Sequence, residues 1–186
     1  ITRKTFVYSH VVAYHDSKVG GTSGRVIESR HKRYGGRVGE IHPFLCVPSG
    51  QGDGCESQPI QTVKGGNMSF RKELLERIGG FDERFGHPSI YEETDVSLKV
   101  QRLGYTLFFL PEAEVVHLSA PLGGQRYAFD SGQFRFIAYR DRVLLFRNNY
   151  PQRRFLLFWA ANVISAVMPM TRLDWRSVRF ALDGLA

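Results

Sequence analysis

The 186-residue chain is 42% hydrophobic and 23% charged, too apolar to be disordered and long enough for one folded domain with a sizeable core. Its net charge of +7 points to an anionic partner. Lys and Arg are scattered and no basic run interleaves with aromatics, which disfavours nucleic acid and leaves a phosphorylated small molecule or an acidic membrane surface.

Along the chain, Phe6, Val7, His10, Val11 and Tyr14 pattern as an amphipathic helix. The chain begins within that helix and without Met, as a fragment of a longer protein would. VGGTSGRVIE (19–28) has the β-branched, Gly-flanked character of a strand. Residues 28–62 are rich in Gly, Pro and Ser and predict mostly loop. Cys46 and Cys55 lie in that loop with neither CxxC nor zinc-knuckle spacing, so two free thiols in a reducing, cytoplasmic setting are expected. A strand is predicted over Gln61 to Val63. GGNMSF then leads into a helix, RKELLERI, stopped by Gly79-Gly80.

After FDERFGHPS, the acidic stretch YEETDVSLKV (91–100) opens a second helix built on Val96, Val100 and Leu103 and ended by Gly104. YTLFFL reads as a buried strand closed by Pro111, and EVVHL as another short strand carrying His117. Residues 131–150 read as a helix with Arg135, Arg140, Arg142 and Arg147 on its polar face. FLLFWAANVISAVMPM (155–170) is nearly all apolar, and a last helix is expected near residues 174–184. Strands alternating with helices predict an α/β domain over residues 1–128, followed by a helical tail over 129–186.

Several short features admit a structural and a chemical reading. Glu92, Glu93 and Asp95 suit a helix N-terminus, where the macrodipole favours negative charge, and equally a site of proton abstraction. Gly65-Gly66 is either a tight turn or a place where a ligand approaches bare backbone. His117 at a strand end is either a packed histidine or a ligand. Arg126 in the turn GGQR either meets a phosphate or sits on plain surface.

Order and spacing weigh these readings. VKGGNMSFRKELLERIGGFDERF, EETDVSLKVQRLGY, LPEAEVVH and RDRVLLFRNNYP form a series that resembles glycosyltransferase family 2, over residues 19 to 150. The resemblance implies the C-terminal part of a GT-A fold, a Rossmann-like mixed sheet flanked by helices. It implies an inverting transfer of a sugar from a nucleotide-diphosphate donor to a hydroxyl acceptor, glycan or lipid-linked. Gly65, Gly66 and Asn67 match the loop beside the donor sugar. Glu92 and Glu93 match the acidic pair, with Glu93 at the position of the base, and Asp95 caps or orients. His117 matches a histidine that helps hold a divalent cation, Mg²⁺ or Mn²⁺.

Two departures qualify this. No Asp-x-Asp occurs, so the remaining metal ligands and the nucleotide-binding half are expected outside this chain; a non-catalytic acceptor-binding or scaffold module is the alternative. No Gln-x-x-Arg-Trp occurs, which disfavours a processive synthase. The apolar stretch 155–170 is shorter than the roughly 20 residues a spanning helix needs. The stretch reads either as a helix packed on the catalytic domain or as one lying in the membrane interface; peripheral attachment at the inner face of the cell membrane is expected, with Phe158 and Trp159 dipping in and Arg153, Arg154 and Arg172 meeting anionic head groups.

Overall fold

The computed structural model of the chain describes residues 5–28, 35–49, 51–86, 89–118 and 131–171. At its centre β1 (Val19–Glu28) runs parallel to β6 (Thr106–His117). β4 (Gln58–Ile60) pairs antiparallel with the free side of β6, and β5 (Met68–Phe70) antiparallel with the free side of β1, giving the order β4-β6-β1-β5. β2 (Gly35–Val38) and β3 (Gln51–Asp53) make a separate two-stranded ribbon. The helices are α1 (Phe6–Ala13), α2 (Lys72–Arg77), α3 (Glu92–Arg102), α4 (Ser131–Asn149) and α5 (Phe155–Thr171). This is the mixed sheet flanked by helices, with a helical C-terminal part, that the sequence predicts.

The core follows from two periodicities. Leu107 and Phe109 alternate inward along β6, while Val96 and Val100, one turn apart on α3, face them. Leu74 of α2 joins them, and all five are at most 2% exposed. The sheet is therefore covered by α2 and α3, and the first turn of α3 is held at a fixed place over it.

Four expectations are corrected. Residues 61 and 62 bend rather than extend. The β-branched character of Thr62 and Val63 serves burial against α3, where Thr62 Oγ1 donates to Thr94 Oγ1 and the Val63 N–H donates to Ser97 Oγ. The supposed loop 28–62 holds β2, β3 and β4, each too short to show a period. Pro111 does not end its strand. The β6 register jumps from Leu110 opposite Gly24 to Glu114 opposite Arg25, so Pro111 lies in a bulge, where no ladder N–H is required of it. Finally, α1 buries His10 and leaves Val7 (66%) and Val11 (54%) exposed, the reverse of an apolar inner face. The helix expected near 174–184 lies outside the described residues.

The C-terminal helices pack through aromatic rings. Phe146 of α4 and Phe158 of α5 stack with centroids 4.4 Å apart beside buried Cys46. Phe158 was expected to face lipid; packing in this cluster removes it from that role. Asn162, one turn on, is also buried and accepts from Arg142 Nη1. Cys46 and Cys55 are both free thiols.

Candidate active site

Lys64, Gly65, Gly66 and Asn67 form a turn closed by the Asn67 N–H donating to Lys64 O at 2.9 Å. Neither glycine adopts a left-handed φ. A Cβ at Gly65 would lie 3.6 Å from the Glu93 carboxyl carbon, and one at Gly66 would meet nothing within 4 Å. The fold thus tolerates a side chain at both positions. What two glycines leave there is bare, exposed backbone beside Glu93, open to a ligand.

Asn67 holds this turn from behind. It is 3% exposed, and its Nδ2 donates to Arg25 O (2.9 Å) and Ala113 O (2.7 Å). With both amide protons so engaged, Oδ1 must accept, and its partner is His10 Nε2 at 3.0 Å. His10 Nδ1 then accepts from Thr22 Oγ1 at 2.7 Å. Burial lowers the His10 pKa, which keeps this neutral tautomer in place. A Cβ at Gly24 would strike both the Asn67 amide and Ala113 O, so that glycine is required.

The acidic pair opens α3. Tyr91 precedes it in a left-handed conformation, φ 75°, uncommon for a residue with a Cβ. Ser97 Oγ donates to Glu93 O at 2.6 Å and accepts the Val63 N–H, pinning the first turn of α3 to the chain that leads into the glycine turn. Burial first, and then the neighbouring Glu92 charge, push the Glu93 carboxyl up to about 7. A carboxyl poised there exchanges protons near neutral pH, as a general base must.

Asp95 has a different role. It is fully buried, its carboxylate paired with Lys99 Nζ at 2.7 Å and accepting from Asn149 Nδ2 (2.6 Å) and Asn148 Nδ2 (3.1 Å). Asn148 also donates to Asp82, which Arg84 grips with two nitrogens. Three of the segments carrying the sequence resemblance, FDERF, EETD and RNN, therefore meet in one hydrogen-bonded cluster. Sequence reasoning passed over Asn148, Asn149 and His10, because only tertiary contact separates them from ordinary helix polar residues.

His117 ends β6, exposed, opposite Glu28 at the end of β1. Arg126 lies outside the described residues. Among the described residues no three His, Cys, Asp or Glu side chains converge as metal ligands. A Mg²⁺ or Mn²⁺ ion takes six or so oxygen donors, and the described residues do not by themselves supply such a set.

The α/β sheet thus presents a partly buried carboxyl, pushed up to about 7, beside an open glycine turn. A sequence model described as glycosyl transferase family group 2 matches residues 54–177, and the chain belongs to that family. Over 54 residues it is 33% identical to "Probable glycosyltransferase YdaM" of Bacillus subtilis (strain 168), a stretch covering 29% of this chain and 12% of that protein.

Proposed function

We propose that the chain forms the acceptor side of an inverting glycosyltransferase that uses a nucleotide-diphosphate sugar, with Glu93 as the base. The observation that supports this most is the Glu93 carboxyl, raised to about 7 and standing beside the bare Gly65 backbone. As carboxylate, Glu93 takes the proton of an acceptor hydroxyl while that oxygen attacks the anomeric carbon. The new C–O bond forms as the bond to the diphosphate breaks, and the leaving nucleoside diphosphate keeps the electron pair. Glu92 supplies the negative charge that helps raise Glu93; Gly65 and Gly66 give the sugar room, and Asn67 fixes their turn. His117 would be this chain's contribution to a Mg²⁺ or Mn²⁺ site, whose positive charge would offset the negative charge of the diphosphate. The acceptor is a glycan or a lipid-linked hydroxyl.

The reading includes peripheral attachment at the inner face of the cell membrane. No helix among the described residues is long and apolar enough to cross a membrane. Instead α5 buries Phe158 and Asn162 and exposes Leu156 (80%), Leu157, Trp159, Val163 and Ile164, with exposed Arg153 just before it. A broad apolar face next to an exposed cation suits an anionic lipid interface.

The catalytic part is tested in the full-length protein by nucleoside diphosphate release across a panel of nucleotide sugars. Glu93→Gln is expected to cut turnover roughly 10²–10⁴-fold with donor KM little changed. Near-full turnover in Glu93→Gln, with loss in Glu92→Gln or Asp95→Asn instead, assigns the base to another carboxylate.

A further inference from the structure

We infer that Asp141 is a positioning residue for the Glu92–Glu93 pair: from α4 it grips the backbone at Ile90 and so sets where the pair stands. The inference rests on the reading of Glu93 as base and extends it to the helix that holds the base in place.

Asp141 is fully buried. Its Oδ2 accepts the Ile90 N–H at 3.0 Å and its Oδ1 accepts from Arg140 Nε at 2.7 Å. Arg140 Nη2 in turn donates to Phe85 O at 2.7 Å. Two successive side chains of α4 thus hold the chain at Phe85 and at Ile90, before it enters α3.

A buried carboxylate is costly to maintain, and an apolar residue of similar shape would dock α4 more cheaply. What the carboxylate adds is a directed contact with one amide. That amide precedes Tyr91, whose left-handed backbone is strained and persists only where neighbouring contacts fix it. Asp141 fixes it on one side. On the other, Asn148 and Asn149 fix Asp95. Asp141 and Asn148 are about two turns apart and lie on one face of α4. One helix therefore brackets the carboxylate pair, at residue 90 before it and at residue 95 after it.

The test uses the full-length protein, amide hydrogen exchange, and the ¹³C titration of the Glu93 carboxyl, whose titratable neighbour is Glu92. Asp141→Leu keeps the packing and removes the acceptor. It is expected to speed exchange across residues 90–93 about tenfold, to leave Val100 protected, and to lower the Glu93 midpoint by about one unit. Asp141→Asn, which keeps an acceptor for Ile90, is expected to restore both. Lys72→Ala removes an exposed ion pair with Glu76 on α2 and is expected to change neither. A folded Asp141→Leu with wild-type Glu93 titration overturns the inference, as does an equal effect from Lys72→Ala. Should Asp141→Leu not fold, fast exchange of the Ile90 amide in the unaltered protein overturns it as well. Turnover of Glu93→Gln, measured separately, decides the base itself: its persistence removes that reading and leaves the Asp141 result to stand or fall alone.

Discussion

Glu93 carries the clearest pH signature at the level of single residues. Burial, and then the Glu92 charge, push its carboxyl up to about 7 in the folded protein from an ordinary 4.5. Activity that needs the carboxylate should therefore rise with pH through about 7, which a pH–kcat profile of the full-length protein checks. The stability consequence has the opposite sign. A carboxyl with a raised folded pKa contributes stability below its unfolded value, and that contribution is lost as pH rises through about 7. Glu93→Gln, which cannot ionise, should thus be the more stable protein at pH 8 by about 3 kcal/mol and equal to the parent at pH 4. Urea unfolding at the two pH values checks this. A change that removes turnover and adds stability is expected of a group held for function rather than for folding.

Between elements, the decisive contacts are polar. Asn67 ties the glycine turn to β1, β6 and α1 through three side-chain hydrogen bonds. Asn67→Ala would leave Arg25 O, Ala113 O and the His10 Nε2 proton without this partner in a buried place. The expected loss is about 3 kcal/mol, at roughly 1 kcal/mol per contact, read by chemical denaturation. Asp95 ties α3 to α4 in the same manner. Asp95→Ala should destabilise by about 3 kcal/mol, because it unpairs Lys99 and removes the carboxylate that accepts from both Asn148 and Asn149. A calorimetric melt of that variant measures it. A loss of turnover there without a loss of stability would instead give Asp95 a direct chemical part.

For the molecule as a whole, the proposed membrane attachment rests on the exposed face of α5. Phe158 anchors the helix on Phe146, so deleting the segment would injure the fold and confuse a membrane test. Exposed positions are the ones to change. Leu156→Glu with Ile164→Glu should abolish sedimentation with vesicles containing anionic lipid and leave the melting temperature within about 2 °C, as surface substitutions do. High salt should weaken the binding of the parent protein. Binding that survives the double substitution returns the exposed face of α5 to a protein contact.

Much of this was legible before any coordinates. β1, α2, α3, α4 and α5 follow from periodicity and from glycine stops, since long elements repeat their pattern often enough to be read. The Glu92–Glu93 pair and the glycine turn were named from motif order. Their adjacency was not readable, because residues 65 and 93 meet only once α3 folds back over the sheet. The short strands β2, β3 and β4 escaped because each depends on its partner for pairing and is too short for a pattern. Pro111 misled because the rule against proline in a strand yields where a bulge leaves its position unpaired. His10, Asn148, Asn149 and Asp141 have ordinary helical surroundings in sequence, and only their contacts with distant segments make them structural. The sequence by itself determined which residues could take part in chemistry and which segments would be helix or long strand, because those depend on side-chain type and local spacing. Only the tertiary structure decided which carboxylate is raised toward neutral and which is locked in an ion pair, because desolvation and charge pairing are properties of a neighbourhood that distant segments build.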